Sequence, residues 1–261
     1  MCIAQNIKGV VSVGKKNDNI SSARKVLQII DIMSQKNGEL SVTQLAKLLD
    51  CSISSTNRFL STMRTAGYVD KSSVTNRYYL TNRLIIACND ILNNNHTLKT
   101  LIELAYIISQ KYNVSVNINT MYNYTPLMLY RITTLYNKDL NFLIGDTAPA
   151  YCSSAGKAML SLYSRTELDK LFETLEIRPY QHQQLTLESV RAEIGQAAKT
   201  GFAVCDEEFV SGVFSISFPL RDSVGDVYAL TLITTMRGRK YIYTAEVINY
   251  VKARLQELDA K

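Results

Sequence analysis

The chain has 261 residues, 46% of them hydrophobic and 20% charged, with 11 glycines and only 4 prolines, which excludes a disordered, collagen-like or low-complexity protein. No apolar run approaches the roughly 18 residues of a membrane-spanning helix, and the first residues lack the apolar stretch and cleavage site of a secretory leader. The formal net charge is +6, and all of that surplus lies before residue 96: residues 1–95 carry 12 Lys/Arg against 6 Asp/Glu, and residues 96–261 carry 17 of each. A basic first third followed by a neutral remainder points either to one segment that meets a polyanion or to a solvated basic surface. Five scattered cysteines without a CxxC pair, and only two histidines (His96 and His182), argue for reduced thiols in a cytoplasm and against disulfides or a zinc site. No cofactor is expected.

Residues 1–19 read as a flexible leader. From Ser21 or Ser22 a helix is expected with Ala23, Val26, Leu27, Ile30 and Met33 facing inward, ending at Asn37-Gly38. A second short helix follows, capped by Ser41, with Val42, Leu45, Leu48 and Leu49 as its apolar side. Ser52 can cap a third, burying Ile53, Thr56, Leu60 and Met63 and stopping at Gly67. Tyr68-Val69 and Tyr78-Tyr79-Leu80 then read as two strands of a hairpin. Three helices with a short turn between the last two, then a hairpin, is the order of a winged helix-turn-helix over 20–82. On the third helix the outward residues are Ser54, Ser55, Asn57, Arg58, Ser61 and Arg64, and no carboxylate occurs from Ser52 to Val69. Hydroxyls, an amide and guanidinium groups suit phosphates and base edges, so this face, with Ser52, Lys71 and Arg77, is the expected contact with double-stranded DNA. For Lys71 and Arg77 simple solvation is an equal alternative.

The stretch 80–91 reads as helical, giving a linker helix over 83–96 whose surplus of apolar residues points to a dimer contact. Over 97–261, helices are expected at 98–111, 154–162, 165–175, 187–200 and 244–258. Strands are expected from Val114 and Leu127, at 202–204, at 213–218 and at 227–234. This is an α+β domain with a largely antiparallel sheet.

Four segments together resemble the IclR family of transcriptional regulators: LSVTQLAKLLDCSISSTNRFLSTMRTAGYVD (40–70), RYYLTNRL (77–84), IGDTAPAYCSSAGKAML (144–160) and KTGFAVCDEEFVSGVFSISFPLRDSVGDVYALTL (199–232). The resemblance spans 20–258. It implies a sequence-specific regulator whose C-terminal domain, 97–261, binds a small anionic or hydroxylated effector and oligomerises. It also implies a homodimer, or a dimer of dimers, on a pseudo-palindromic operator. By the same resemblance Ser154 and Ala155 would offer backbone amides to the effector, with Leu140 and Ala148 as apolar walls. Cys205, Ser215 and Thr234 would line the pocket, Thr231 being the alternative to Thr234. Arg131 is a further candidate for the pocket. Each has a plainer role available: Ser154 and Ala155 as a helix cap, Cys205 as a small buried hydrophobe, Ser215 and Thr234 as ordinary strand residues, and Arg131 as a solvent-facing strand residue, the favoured reading for it. Catalysis is disfavoured, because the turn 152–157 has neither the glycines of a nucleophile elbow nor a phosphate-loop motif. The remaining alternative is a ligand-binding protein whose winged helix makes protein contacts.

Overall fold

The structure, a computed structural model, describes residues 20–35, 38–137, 140–177 and 185–259. The leader expected over 1–19, the turn residue Asn37 and His182 lie outside them. The chain divides into two compact units, the second beginning at His96.

In the first unit, α1 (Ser21–Gln35) packs on α2 (Val42–Leu49) and α3 (Ile53–Thr65), followed by the antiparallel strands β1 (Val69–Lys71) and β2 (Tyr78–Leu80) and by α4 (Arg83–Asn93). Ser41 closes a capping box on α2: its hydroxyl accepts the Gln44 amide at 3.2 Å, and the Gln44 side chain accepts the Ser41 amide at 2.9 Å. At the other end of α2, the Lys25 ammonium donates to the Leu49 carbonyl at 2.5 Å, satisfying a group the helix leaves orphaned. Ser52 caps α3 by accepting the Ser55 amide at 3.1 Å. Leu40 and Tyr78 exchange backbone hydrogen bonds of 2.9 and 2.8 Å, which ties the entry of α2 to the wing.

The core of this unit is Ile29, Met33, Leu40, Leu45, Leu49, Leu60, Met63 and Val69. Packing overrides the expected burial at several positions. On α1 the inward stripe runs through buried Ile29 and Met33 and half-buried Val26 and Ile30, while Ala23 is exposed and Leu27 is 62% exposed; the apolar residues are dense enough to support either rotation, and packing against α2 and α3 selects one. Leu48 turns outward and Ala46 takes its place inside, because Leu45, Ala46 and Leu49 form the narrower stripe. Ile53 is half-exposed because the first residue of α3 projects past the rim of the core, whereas Thr56, Leu60 and Met63 are buried as expected. Leu80 belongs to β2, so α4 begins only at Arg83.

The second unit runs α5 (His96–Tyr112), β3 (Ser115–Tyr122), β4 (Thr125–Ile132), α6 (Ser154–Leu160), α7 (Arg165–Thr174), α8 (Leu187–Thr200), β5 (Ala203–Asp206), β6 (Val213–Arg221), β7 (Val227–Thr235), α9 (Arg239–Ile242) and α10 (Ala245–Asp259). The strands form one antiparallel sheet in the order β4-β3-β7-β6-β5. The unit is thus α+β. Strand alternation separates the two faces. Val116, Ile118, Phe214, Ile216, Phe218, Leu230 and Leu232 join Leu101, Ile108, Val251 and Leu255 of α5 and α10 in the main core. The opposite face carries short polar residues and receives α6.

Gly156 lets α6 dock. A Cβ at that position would lie 2.3 Å from both the Cα and the carbonyl oxygen of Ala150, so only glycine permits this approach of two backbones. Gly156→Ala is expected to lower the thermal stability of the second unit by about 1–3 kcal/mol through overpacking, measured by differential scanning calorimetry. Among the described residues no helix is long and apolar enough to cross a membrane.

Candidate functional site

The first candidate surface is the outer face of α3. Ser54, Asn57, Arg58, Ser61 and Arg64 are all exposed and recur at three- and four-residue spacing, which places them in one stripe. Ser52 and Ser55 sit at the start of the stripe and are bonded to each other, Oγ to Oγ, at 2.9 Å. Arg58 has no carboxylate partner among the described residues. Arg64 does have one: its Nε donates to Asp70 Oδ1 at 2.8 Å. The Lys71 amide also donates to Asp70 Oδ1, at 2.7 Å, and this bond, with the Arg64 guanidinium, holds the Asp70 carboxyl below the usual carboxylate range. The acid-free stretch of sequence therefore ends one residue too early to leave Arg64 unpaired. In the wing, Arg77 is exposed, while Lys71 is half-buried with its ammonium 5.7 Å from the Tyr78 ring.

The second candidate is the polar sheet face beneath α6. One register row crosses the sheet as Arg131 (β4), Asn117 (β3), Thr231 (β7) and Ser217 (β6), each directly opposite the next. Ser154, the first residue of α6, reaches down to it. Its hydroxyl is 2.7 Å from Ser215 Oγ and accepts from Ser217 Oγ at 2.7 Å. Ser217 is in turn 2.8 Å from Thr231 Oγ1, which accepts from Asn119 Nδ2 at 3.2 Å. All five side chains are buried. The helix cap is Ser153, whose Oγ accepts the Gly156 amide at 3.2 Å, and this leaves the Ser154 side chain free for the sheet. The methyl of Ala155 packs with Met159, Val227 and Ala229.

The other expected pocket residues fall in different places. Thr234 pairs with Phe214 in register, so it sits on the α5/α10 face and not with Ser154; its hydroxyl donates to Asn137 Oδ1 at 3.3 Å. Thr231, three residues earlier and therefore on the other face, is the residue beside Ser217. Cys205 lies opposite Ser215, donates its thiol to the Cys152 carbonyl at 3.3 Å, and has its pKa pushed up to about 11 by burial. Burial likewise pushes the Cys152 thiol up, which keeps it protonated and a poor nucleophile. Leu140 and Ala148 are half-buried and are held through their backbones: the Leu140 carbonyl accepts from Arg131, and the Ala148 amide donates to the Pro126 carbonyl at 3.3 Å.

Arg131 is not solvent-facing. Its terminal nitrogens donate to the carbonyls of Phe142 at 2.5 Å and Leu140 at 2.6 Å, and the guanidinium carbon lies 5.6 Å from the Phe142 ring centre. Sequence reasoning also missed Lys157, 1% exposed, whose ammonium donates to Glu193 at 2.5 Å and Glu208 at 2.6 Å. A lone lysine inside an otherwise small and apolar helix, with the acidic run 206–208 elsewhere, was the signal that could have found it. Among the described residues no group of three metal-ligating side chains occurs.

Similarity to known proteins extends over both units. A model of the IclR helix-turn-helix domain matches residues 22–73, and a model of the bacterial transcriptional regulator IclR C-terminal domain matches residues 95–260. The HTH-type transcriptional regulator KdgR of Escherichia coli K12 is 26% identical over 82% of each chain. The regulator XynR of the same organism is 21% identical over 91% of this chain and 94% of its own. Among solved structures, an IclR homologue from Microbacterium hydrocarbonoxydans complexed with 4-hydroxybenzoate superposes with a TM-score of 0.77 at 12% identity, covering 92% of this chain and 98% of that one. An IclR regulator from Alicyclobacillus acidocaldarius gives 0.76 at 15% identity, covering 93% and 97%. With a winged helix-turn-helix ahead of an α+β effector domain, and family models matching both parts, the chain belongs to the IclR family of DNA-binding bacterial transcriptional regulators.

Proposed function

We propose that the regulator works in the cytoplasm as a non-catalytic homodimer, or a pair of dimers, whose two α3 helices enter successive major grooves of a pseudo-palindromic operator about one helical turn apart. The observation that carries this reading is the exposed stripe Ser54, Asn57, Arg58, Ser61 and Arg64 on a capped, well-packed helix. Exposed Ile85 and Ile86 on α4 support a dimer contact there, since a lone linker helix has no use for them. A polar metabolite binds at the hydroxyl cluster of Ser154, Ser215, Ser217 and Thr231. That a fold neighbour carries 4-hydroxybenzoate supports small-molecule binding by this domain. The metabolite changes operator affinity by the difference in its own affinity for the DNA-competent and DNA-incompetent arrangements, and by no more than that.

The test is fluorescence anisotropy of the purified protein on the DNA upstream of its own gene, titrated with salt against an unrelated duplex. Selective binding with a steep salt slope is expected. No binding to either duplex at low salt would overturn the assignment of α3 as the recognition helix.

A further inference from the structure

We propose that Asn117 and Arg131 form the recognition end of the effector site, and that the effector they select is a carboxylate bearing a hydroxyl close to it. This rests on the placement of the effector at the Ser154 cluster. Two polar atoms on that same sheet face are buried without a hydrogen-bond partner: Asn117 Oδ1 and Arg131 Nε. Asn117 as a whole is only 3% exposed. The two residues stand directly opposite in the β3–β4 register, and Asn117 is flanked on its other side by Thr231 of the cluster. An orphaned acceptor and an orphaned charged donor next to a satisfied hydroxyl network are an unusual pair in a folded interior, where nearly all such atoms are bonded.

Their demands are complementary. The Arg131 Nε–H needs an acceptor, best an anionic one, and Asn117 Oδ1 needs a donor. A plain carboxylate would satisfy the arginine but confront the amide oxygen with a second acceptor. A plain alcohol would satisfy the amide oxygen and give the cation only a weak partner. A carboxylate with a neighbouring hydroxyl supplies both groups in one small molecule, and its further hydroxyls would find Ser217 and Thr231 in the next positions of the same row. An ammonium in place of the hydroxyl would sit against the guanidinium and be repelled. One N–H of each terminal nitrogen of Arg131 already holds a carbonyl, of Phe142 and of Leu140, so the cation is fixed in place before any ligand arrives.

The test is isothermal titration of the full chain with three hydroxy acids of increasing length: glycolate, glycerate and gluconate. Each is compared with the acid lacking hydroxyls (acetate, propionate, hexanoate) and with the alcohol lacking the carboxylate (ethylene glycol, glycerol, sorbitol). At least one hydroxy acid is expected to bind tenfold or more tightly than both of its counterparts. Arg131→Lys, which keeps the charge but loses Nε, should weaken that acid by roughly 10- to 100-fold. Asn117→Leu should erase its advantage over the plain acid, by weakening the hydroxy acid and, with the opposing amide oxygen gone, tightening the plain acid. If no hydroxy acid outbinds its counterparts, the proposal is overturned. If one does, and Ser217→Val weakens it while Arg131→Lys and Asn117→Leu do not, the recognition end is wrongly assigned but the site stands. If none of the three variants changes its binding, the placement of the site falls as well.

Discussion

Arg58→Ala is expected to weaken selective operator binding by roughly 10- to 100-fold, and Arg58→Glu to abolish it. Arg58 lies near the middle of the exposed α3 stripe, between Ser54 and Ser61, and has no carboxylate partner among the described residues. Its guanidinium is therefore free to pair with a guanine edge or with a phosphate, and the two cases separate experimentally. If Arg58 pairs with a base, its removal lowers affinity for the selective duplex and relaxes the preference over an unrelated one. If it pairs with a phosphate, its removal lowers affinity for both and reduces the salt slope by about one. Arg64→Ala should cost less than Arg58→Ala, because Asp70 already holds Arg64 Nε and part of its charge is neutralised before DNA arrives. Anisotropy on both duplexes, with melting curves as a check that the variants fold, decides the matter. Full affinity in a folded Arg58→Glu protein would turn the winged helix into a protein-contact surface.

The parts legible in sequence are those set by local chemistry. Ser41 with Gln44, Ser52 with the Ser55 amide, and the 3.6-residue recurrence of Thr56, Leu60 and Met63 depend on residues within one or two turns, so α2 and α3 and their exposed faces follow from the sequence alone. Leu27 and Ile29 show where that logic stops: both are compatible with an apolar stripe, and only the neighbouring helices decide which is buried. The effector face depends on which way each strand residue points, and β7 is buried on both faces, so its apolar pattern does not mark the difference. A separation of three residues along a strand reverses the face, so Thr231 and Thr234 could not both join Ser215, but choosing between them needed the β6–β7 pairing. The anchoring of Arg131 was beyond reach for a related reason. Its partners are backbone carbonyls of Leu140 and Phe142, and carbonyls leave no trace in side-chain pattern.

Lys157→Met is expected to destabilise the second unit by about 3 kcal/mol at pH 8, the lower end of the cost of breaking a buried ion pair. The lower end applies because one partner, Glu193, is 43% exposed and stays hydrated after the change. The other, Glu208, is 11% exposed and would be left as an unpaired buried charge. In the intact protein, burial pulls the Lys157 ammonium down, but Glu208 and Glu193 outweigh it, so its pKa is raised and it is charged at any physiological pH. Burial also raises Glu208 despite the opposing pull of Lys157. Removing the lysine leaves burial and Glu193, which raise it, against the single Asp206 amide that donates to its Oε1. A carboxyl whose folded pKa exceeds its unfolded value favours the fold below the unfolded value, and that advantage is lost as pH rises through the folded one. The deficit of Lys157→Met should therefore be smaller at pH 5, toward protonation of Glu208, than at pH 8. Thermal unfolding at the two pH values measures it, with a shift of roughly 6–12 °C expected at the higher. Adding Glu208→Leu should recover much of the loss, since two apolar residues can replace an ion pair where one orphaned charge cannot. Lys157 is three residues from Ser154 on the seven-residue α6, so the ion pair also fixes the helix that presents Ser154 to the sheet. Lys157→Met should then loosen effector binding even at pH 5, where the protein remains folded. Unchanged stability and unchanged effector affinity would show instead that Gly156 docking and the Ser154 hydroxyl bonds hold α6 without it.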